Sequence, residues 1–315
     1  MNFIIYLFAV LKNMIYGLSV FFVGDLSAEV AVMDILALRF LLSFVVFWLL
    51  KQTGIVKIRV GIRDFIKKNE RTPYLKGLLL TSLFEPVLYM FFETWGISMT
   101  TGITAAVILS LAPVTSCICE VVFLKEHTTF VQKIFLGLGI AGVIYIAVNT
   151  ESSQGRDSLS GILMVLAAVL SGSLFCTFSR KSARAFSAME ITYVSAAVGM
   201  VVFNAVNVCR HIYLGTLTAY FRPCLDVDNL IGLGFLGVVC AIIATGMNNY
   251  ALARMQISTM AAFGGLSTLV TIAAGVLLGG EKLYHYHVIG LALIVSRMVG
   301  VSYIQIKKQR AEESA

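Results

Sequence analysis

Charge is what this chain has least of. Asp, Glu, Lys and Arg together make up 13% of its 315 residues, against an apolar share of 58% and a mean hydropathy of +0.89. An ordinary soluble domain carries about 25% charged residues. A water-exposed globule is therefore excluded, and a bilayer is the solvent this composition fits. Proline is scarce too, at four residues, which leaves long stretches free to run as helix. Chemistry-bearing motifs are missing. No GxxxxGK[ST] loop is present to cradle the phosphates of ATP. There is no HExxH and no GxSxG, and neither of the longest loops, 52–74 and 210–228, gathers a nucleophile, a base and metal ligands. Neither an enzyme nor a cofactor is expected. The six cysteines form no metal framework. Cys117 and Cys119 point to different faces of one helix, and Cys176 and Cys240 lie inside apolar runs. Cys209 and Cys224 bracket one loop, where a disulfide or two free thiols would fit. Glu281, His285 and His287 read as ordinary loop residues rather than a metal site.

The chain does have long apolar runs, each close to the roughly 20 residues that cross a bilayer as helix. Ten spans are predicted: 3–23, 33–51, 75–97, 102–123, 130–149, 159–179, 188–209, 229–251, 257–278 and 286–305. They are about twice the length of barrel strands and do not alternate, so helices are expected rather than a closed barrel. Lys12 interrupts the first run and no small-residue cleavage site follows, so it reads as a helix rather than a secretory leader. The fold class is an all-α membrane protein.

The ten spans form two matching series. Gly17 recurs as Gly172, Ala106 as Ala261, Leu111 as Leu266 and Glu126 as Glu281, each 155 residues on. Met33-Asp34-Ile35 recurs as Met189-Glu190-Ile191, 156 residues on. Residues 1–150 are thus expected to form one five-helix repeat, and 151–315 a second with a short cytoplasmic tail. Five is odd, so the second copy enters the bilayer upside down. An inverted repeat with binding at the midplane is a transporter architecture.

Basic residues set the orientation. Lys51, Lys57, Arg59, Arg63, Lys67, Lys68, Arg71 and Lys76 crowd around the loop between the second and third spans. Of the 24 Lys and Arg residues, only Arg156, Arg210, Arg222 and Lys282 fall on the opposite side. Both termini are expected in the cytoplasm, in a multi-pass protein of the cell's inner (plasma) membrane. The basic loop then faces anionic lipid headgroups, and no nucleic-acid partner is needed to explain it.

At this point the residues resemble a known family. Tyr16-Gly17, Leu38-Arg39-Phe40, Leu111-Ala112-Pro113, Phe123-Leu124-Lys125-Glu126, Gln132, Gly142-Val143, Gly280-Glu281 and Gly290 occur in the order seen in EamA-type members of the drug/metabolite transporter superfamily. The resemblance covers about residues 5 to 305. Thr268 stands where the family's second repeat often has proline, and Lys12, Glu85 and Arg297 are outside the family pattern. The resemblance implies a monomer that moves small organic metabolites such as amino acids, often outward. It also implies a central cavity lined chiefly by helices 1, 3, 4, 6, 8 and 9.

Ionisable groups inside a bilayer are costly and need a reason. Lys12 and Glu85 lie at similar depth, about 12 Å from the inner face at 1.5 Å per residue. They can pair, each can meet one end of a zwitterion, or Glu85 can be neutral while Lys12 snorkels inward. Glu85, Tyr89, Phe92 and Glu93 share one helix face, and Tyr16 on the first span is a further candidate for the substrate or coupling site. Glu93 reads either as part of a pathway or as an interfacial carboxylate. Glu85 and Glu93 are the candidates for proton coupling. Pro86 is expected to kink the helix beside Glu85. Asn248 and Asn249 can bind polar substrate groups or hydrogen-bond between helices, and Ser267, Thr268 and Thr271 share that ambiguity. Glu126 and Glu281 sit at span boundaries and are expected to hold the start of the following helix. Arg297 has no partner evident in sequence. The functional expectation is a secondary active transporter that exports a small organic metabolite, an amino acid or related compound, by alternating access. The alternatives are a flippase of a lipid-linked intermediate or a non-transporting membrane protein, which a dry packed interior would favour.

Overall fold

The structure is a computed structural model that describes residues 3–58, 72–124, 145, 158–254, 260, 263–285, 288, 289, 292 and 296. Among these residues it is entirely helical. Six helices are long and apolar enough to cross a membrane: Ile4–Glu29, Val32–Gln52, Tyr74–Ser98, Leu159–Ser182, Ala188–Leu214 and Val227–Leu252. Two shorter apolar helices, Gly102–Ser116 and Gly264–Leu277, lie on the expected fourth and ninth spans. The fifth and tenth spans, most of the basic loop, Glu126, His287 and Arg297 lie outside the described residues.

In chain order the helices are α1 (Phe3–Glu29), α2 (Val32–Gln52), α3 (Thr72–Ser82), α4 (Tyr89–Ser98), α5 (Gly102–Leu109), α6 (Ala112–Leu124), α7 (Leu159–Ser182), α8 (Ala188–Leu214), α9 (Val227–Gly234), α10 (Thr245–Leu252) and α11 (Gly264–Leu277). Their ends carry recognisable caps. Ser187 and Glu190 form a reciprocal capping box at the start of α8, and Asp226 accepts from the N–H groups of Asp228 and Asn229 at α9. Each satisfies backbone donors that a helix start leaves unpaired. Gly215 closes α8 with φ 66°, a left-handed conformation that suits a residue without Cβ.

Three departures from the predicted spans have local causes. First, α1 continues to Glu29 rather than ending at residue 23. Asp25 and Glu29 end the apolar run, but nothing from Gly24 to Glu29 breaks a helix, and Leu26 is buried. The connection to α2 shrinks to Val30 and Ala31. Second, the third span is divided. Glu85 has φ −141° and ψ 118°, outside the helical region, as expected of a residue preceding proline. The segment Leu83–Leu88 joins α3 to α4 across this kink. Third, the fourth span breaks between α5 and α6, where Pro113 has no N–H to donate back to Leu109.

Packing follows a regular plan. The helix of the first span (α1) lies against the eighth and ninth spans, and that of the sixth (α7) lies against the third and fourth. The second span meets the seventh and eighth, and the seventh meets the second and third. Exchanging the two halves of the chain leaves this set of pairings unchanged. The main apolar core joins Val20, Ile35, Leu36, Phe40, Val107, Val165, Phe203 and Leu236, residues of both halves. Close approach depends on glycine where α4 crosses α7: a Cβ on Gly96 would sit 2.6 Å from Val165 Cγ2 and 2.9 Å from its backbone nitrogen.

Candidate functional site

A cavity of about 180 Å³ lies where the two halves meet. Each wall comes from a different helix. α1 contributes Lys12 and Tyr16, α2 contributes Arg39, the kink contributes Glu85, α4 contributes Tyr89 and Glu93, and α10 contributes Asn248. Ser173 and Cys176 of α7 complete the polar wall on one side, and Ser267, Thr268 and Thr271 of α11 complete it on another. Helices of spans 1, 3, 4, 6, 8 and 9 are all represented, with the second span added through Arg39. The kink aids this arrangement, because an extended residue at 85 breaks the helical register and sets Glu85 at the cavity wall beside Tyr89 and Glu93.

Six of the seven sequence-predicted site residues thus share one cavity: Lys12, Tyr16, Glu85, Tyr89, Glu93 and Asn248. Asn249 does not line it. Its amide nitrogen donates to Thr192 Oγ1 at 2.9 Å and its carbonyl accepts from Ser179 Oγ at 2.9 Å. That joins α10 to α8 and α7, the interhelical alternative of the two open for this residue. Phe92, on the same stretch of α4, is likewise not among the lining residues.

The charges are not neutralised by contact. Among the described residues no ion pair within 4.0 Å joins Lys12 or Arg39 to Glu85 or Glu93. The Lys12 ammonium lies 5.5 Å from the centre of the Tyr16 ring, a cation–π arrangement. The Tyr16 hydroxyl shares a 3.2 Å hydrogen bond with Thr245 Oγ1. Tyr89 donates to Glu93 Oε1 at 2.7 Å, so Glu93 is an integrated part of the wall and not an interfacial carboxylate. Two cations and two acids therefore line one cavity. Thr271 is anchored otherwise, donating to the Gly17 carbonyl at 2.8 Å and tying α11 to α1.

The residue that sequence reasoning passed over is Arg39. It stood inside a span and within a family-like triplet but was given no site role, although an arginine among Leu36, Ala37, Leu38, Phe40 and Leu41 was itself the signal. A second polar cluster was also missed. Asp34 Oδ1 accepts from Asn207 Nδ2 at 2.9 Å and lies 2.8 Å from His211 Nε2, with Arg210 at 3.4 Å. It joins the start of α2 to the end of α8. Cys209 and Cys224 are both free thiols. Burial pushes the Cys224 thiol above its ordinary pKa.

Glu281 performs the capping role expected of it, on a different helix. Its carboxylate accepts from the backbone N–H groups of Gly102 at 2.9 Å and Ile103 at 3.0 Å. The helix it caps is α5 in the other half of the chain, not the one that follows it. α11 packs on α5, and this brings the end of one half to the helix start of the other.

Comparison with known proteins decides the family. The profile of the EamA-like transporter family matches residues 3–148 and again residues 159–303. The chain belongs to the EamA-like transporter family. It is 32% identical over 304 residues to an "Uncharacterized transporter YcxC" of Bacillus subtilis (strain 168), covering 96% of this chain and 94% of that one. It is 25% identical over 230 residues to an "Uncharacterized transporter" of Archaeoglobus fulgidus, covering 71% and 74%. A solved structure described as "Crystal structure of protein" superposes with a TM-score of 0.60 at 17% identity, over 93% of this chain and 98% of that one, a likeness of fold alone. This EamA-family chain is therefore a membrane transporter with several apolar transmembrane helices, and its family points away from catalysis.

Proposed function

We propose that this EamA-family protein is a secondary active transporter that exports a small organic metabolite, an amino acid or related compound, by alternating access. The observation that carries this reading is the cavity lined by two cations and two carboxylates at the junction of the halves. Inverted repeats supply the mechanism: the pairings between helices survive exchange of the halves, so the two can rock about a fixed central site. Domains 1–150 and 151–315 are then the two five-helix repeats, in a monomer of the plasma membrane with both termini in the cytoplasm. Outward direction follows the family resemblance. Glu85 and Glu93 are the carboxyls placed to carry a coupling proton, since each lines the substrate's path.

Substitution tests the reading. Lys12→Ala and Glu85→Gln should each lower transport by about tenfold or more, the loss expected when a hydrogen bond to a charged group disappears, while the protein still reaches the membrane. Because Lys12 and Glu85 are not in ion-pair contact, the double variant should show no rescue relative to the singles. Full activity of both singles would remove the charged cavity from the transport path.

A further inference from the structure

Arg39 is the most deeply enclosed charge in the described structure, 1% exposed, and both Nε and Nη1 are buried without a hydrogen-bond partner. Native structures rarely leave such donors unmet, and a buried cation without a close counter-charge is strongly unfavourable. Its surroundings also hold it in place. The Ala37 carbonyl two residues away accepts from Asn204 Nδ2 at 3.0 Å, the Phe40 ring stacks on Phe203 at 5.4 Å, and a Cβ on Gly237 would lie 2.7 Å from the Arg39 carbonyl. These contacts fix the backbone that carries Arg39, its guanidinium lies 5.5 Å from the centre of the Phe40 ring, and Arg39 lines the central cavity.

We infer that Arg39 is the carboxylate receptor of the transport site, and that the substrate is a small zwitterion whose carboxylate meets Arg39 while its ammonium meets Glu85. This rests on the transport reading above and adds to it the residue that recognises the anion and the orientation of the substrate. A guanidinium presents parallel N–H groups that match the two oxygens of a carboxylate. Glu85 and Glu93 on the same cavity select against a second negative charge, so a phosphate dianion is disfavoured by like-charge repulsion. Glu93 is already engaged by Tyr89, which leaves Glu85 as the acid facing the substrate's cation. At about 180 Å³ the cavity is smaller than the ~300–1,000 Å³ of pockets for drug-sized ligands, in keeping with a single small metabolite.

The test uses the full chain in proteoliposomes and probes that differ by one group. L-leucine, L-phenylalanine and L-threonine are each paired with the amine that lacks the carboxylate. Wild-type protein should carry at least one amino acid about tenfold or more faster than its paired amine. Arg39→Gln should abolish that preference, and Arg39→Lys, which keeps the charge but not the fork, should recover only part of it. Equal handling of every amino acid and its amine by the wild type overturns the assignment, and so does an unchanged preference in Arg39→Gln. Should Arg39→Gln fail to insert, Arg39→Lys decides: a preference as large as the wild type's overturns the assignment, and a reduced one supports it. Transport of the amines alone would sink the Arg39 assignment and leave the transporter reading standing, whereas transport of none of the probes would count against both.

Discussion

At the scale of single residues, Asp34 and Glu281 make long-range polar contacts at helix ends, whereas Lys12, Arg39 and Glu85 line the central cavity. Glu281 places both carboxylate oxygens on backbone donors of α5, where a helix start offers unpaired N–H groups and positive potential. Glu281→Ala should therefore cost about 0.5–2 kcal/mol of stability, the range for loss of a cap, measured as a lowered melting temperature, with substrate affinity of the folded protein little changed. Normal melting combined with lost binding would show that Glu281 belongs to the substrate site. The charged positions Lys12, Glu85 and Glu93 were legible in the sequence because charge in an apolar run is conspicuous. Their partners were not. Asp34 and His211 are 177 residues apart, and Glu281 and Gly102 are 179 apart. No local pattern announces such a contact.

At the scale of elements, hydropathy located the described spans but not their true ends or breaks. The helix of α1 outlasts its apolar run because ending a run of apolar side chains does not end a ladder of backbone hydrogen bonds. The reverse holds at Glu85 and at Ser110, where the apolar run continues but the helix is interrupted near Pro86 and Pro113. The kink at Glu85 was foreseeable from proline chemistry; its consequence, an extended residue turned to the cavity wall, required the third dimension. The α4–α7 crossing offers a test of packing. With Val165 already closer than contact distance to a Cβ at residue 96, Gly96→Ala should force the helices apart at a cost of about 1–3 kcal/mol. Reduced folded yield in detergent would show it, and a variant as stable as the parent would mean the crossing is looser than described.

At the scale of the whole molecule, orientation and transport are the claims to test. The expected exterior includes the loop after α8. A cysteine replacing Leu225, which is 83% exposed, should react with an impermeant thiol reagent in intact cells once Cys209 and Cys224 are changed to serine. Gln52→Cys, at the end of α2 expected to face the cytoplasm, should not. In the parent protein Cys224 should react more slowly than that introduced cysteine, because burial raises its pKa and lowers its thiolate fraction. Labelling of Gln52→Cys but not Leu225→Cys would reverse the topology. The most direct measurement of the central claim is release from proteoliposomes loaded with a mixture of cytosolic metabolites and followed by mass spectrometry. The account predicts that at least one small zwitterion leaves vesicles containing the wild-type protein faster than vesicles containing Glu85→Gln, and that protein-free vesicles retain it. Equal loss of every metabolite from all three would contradict it.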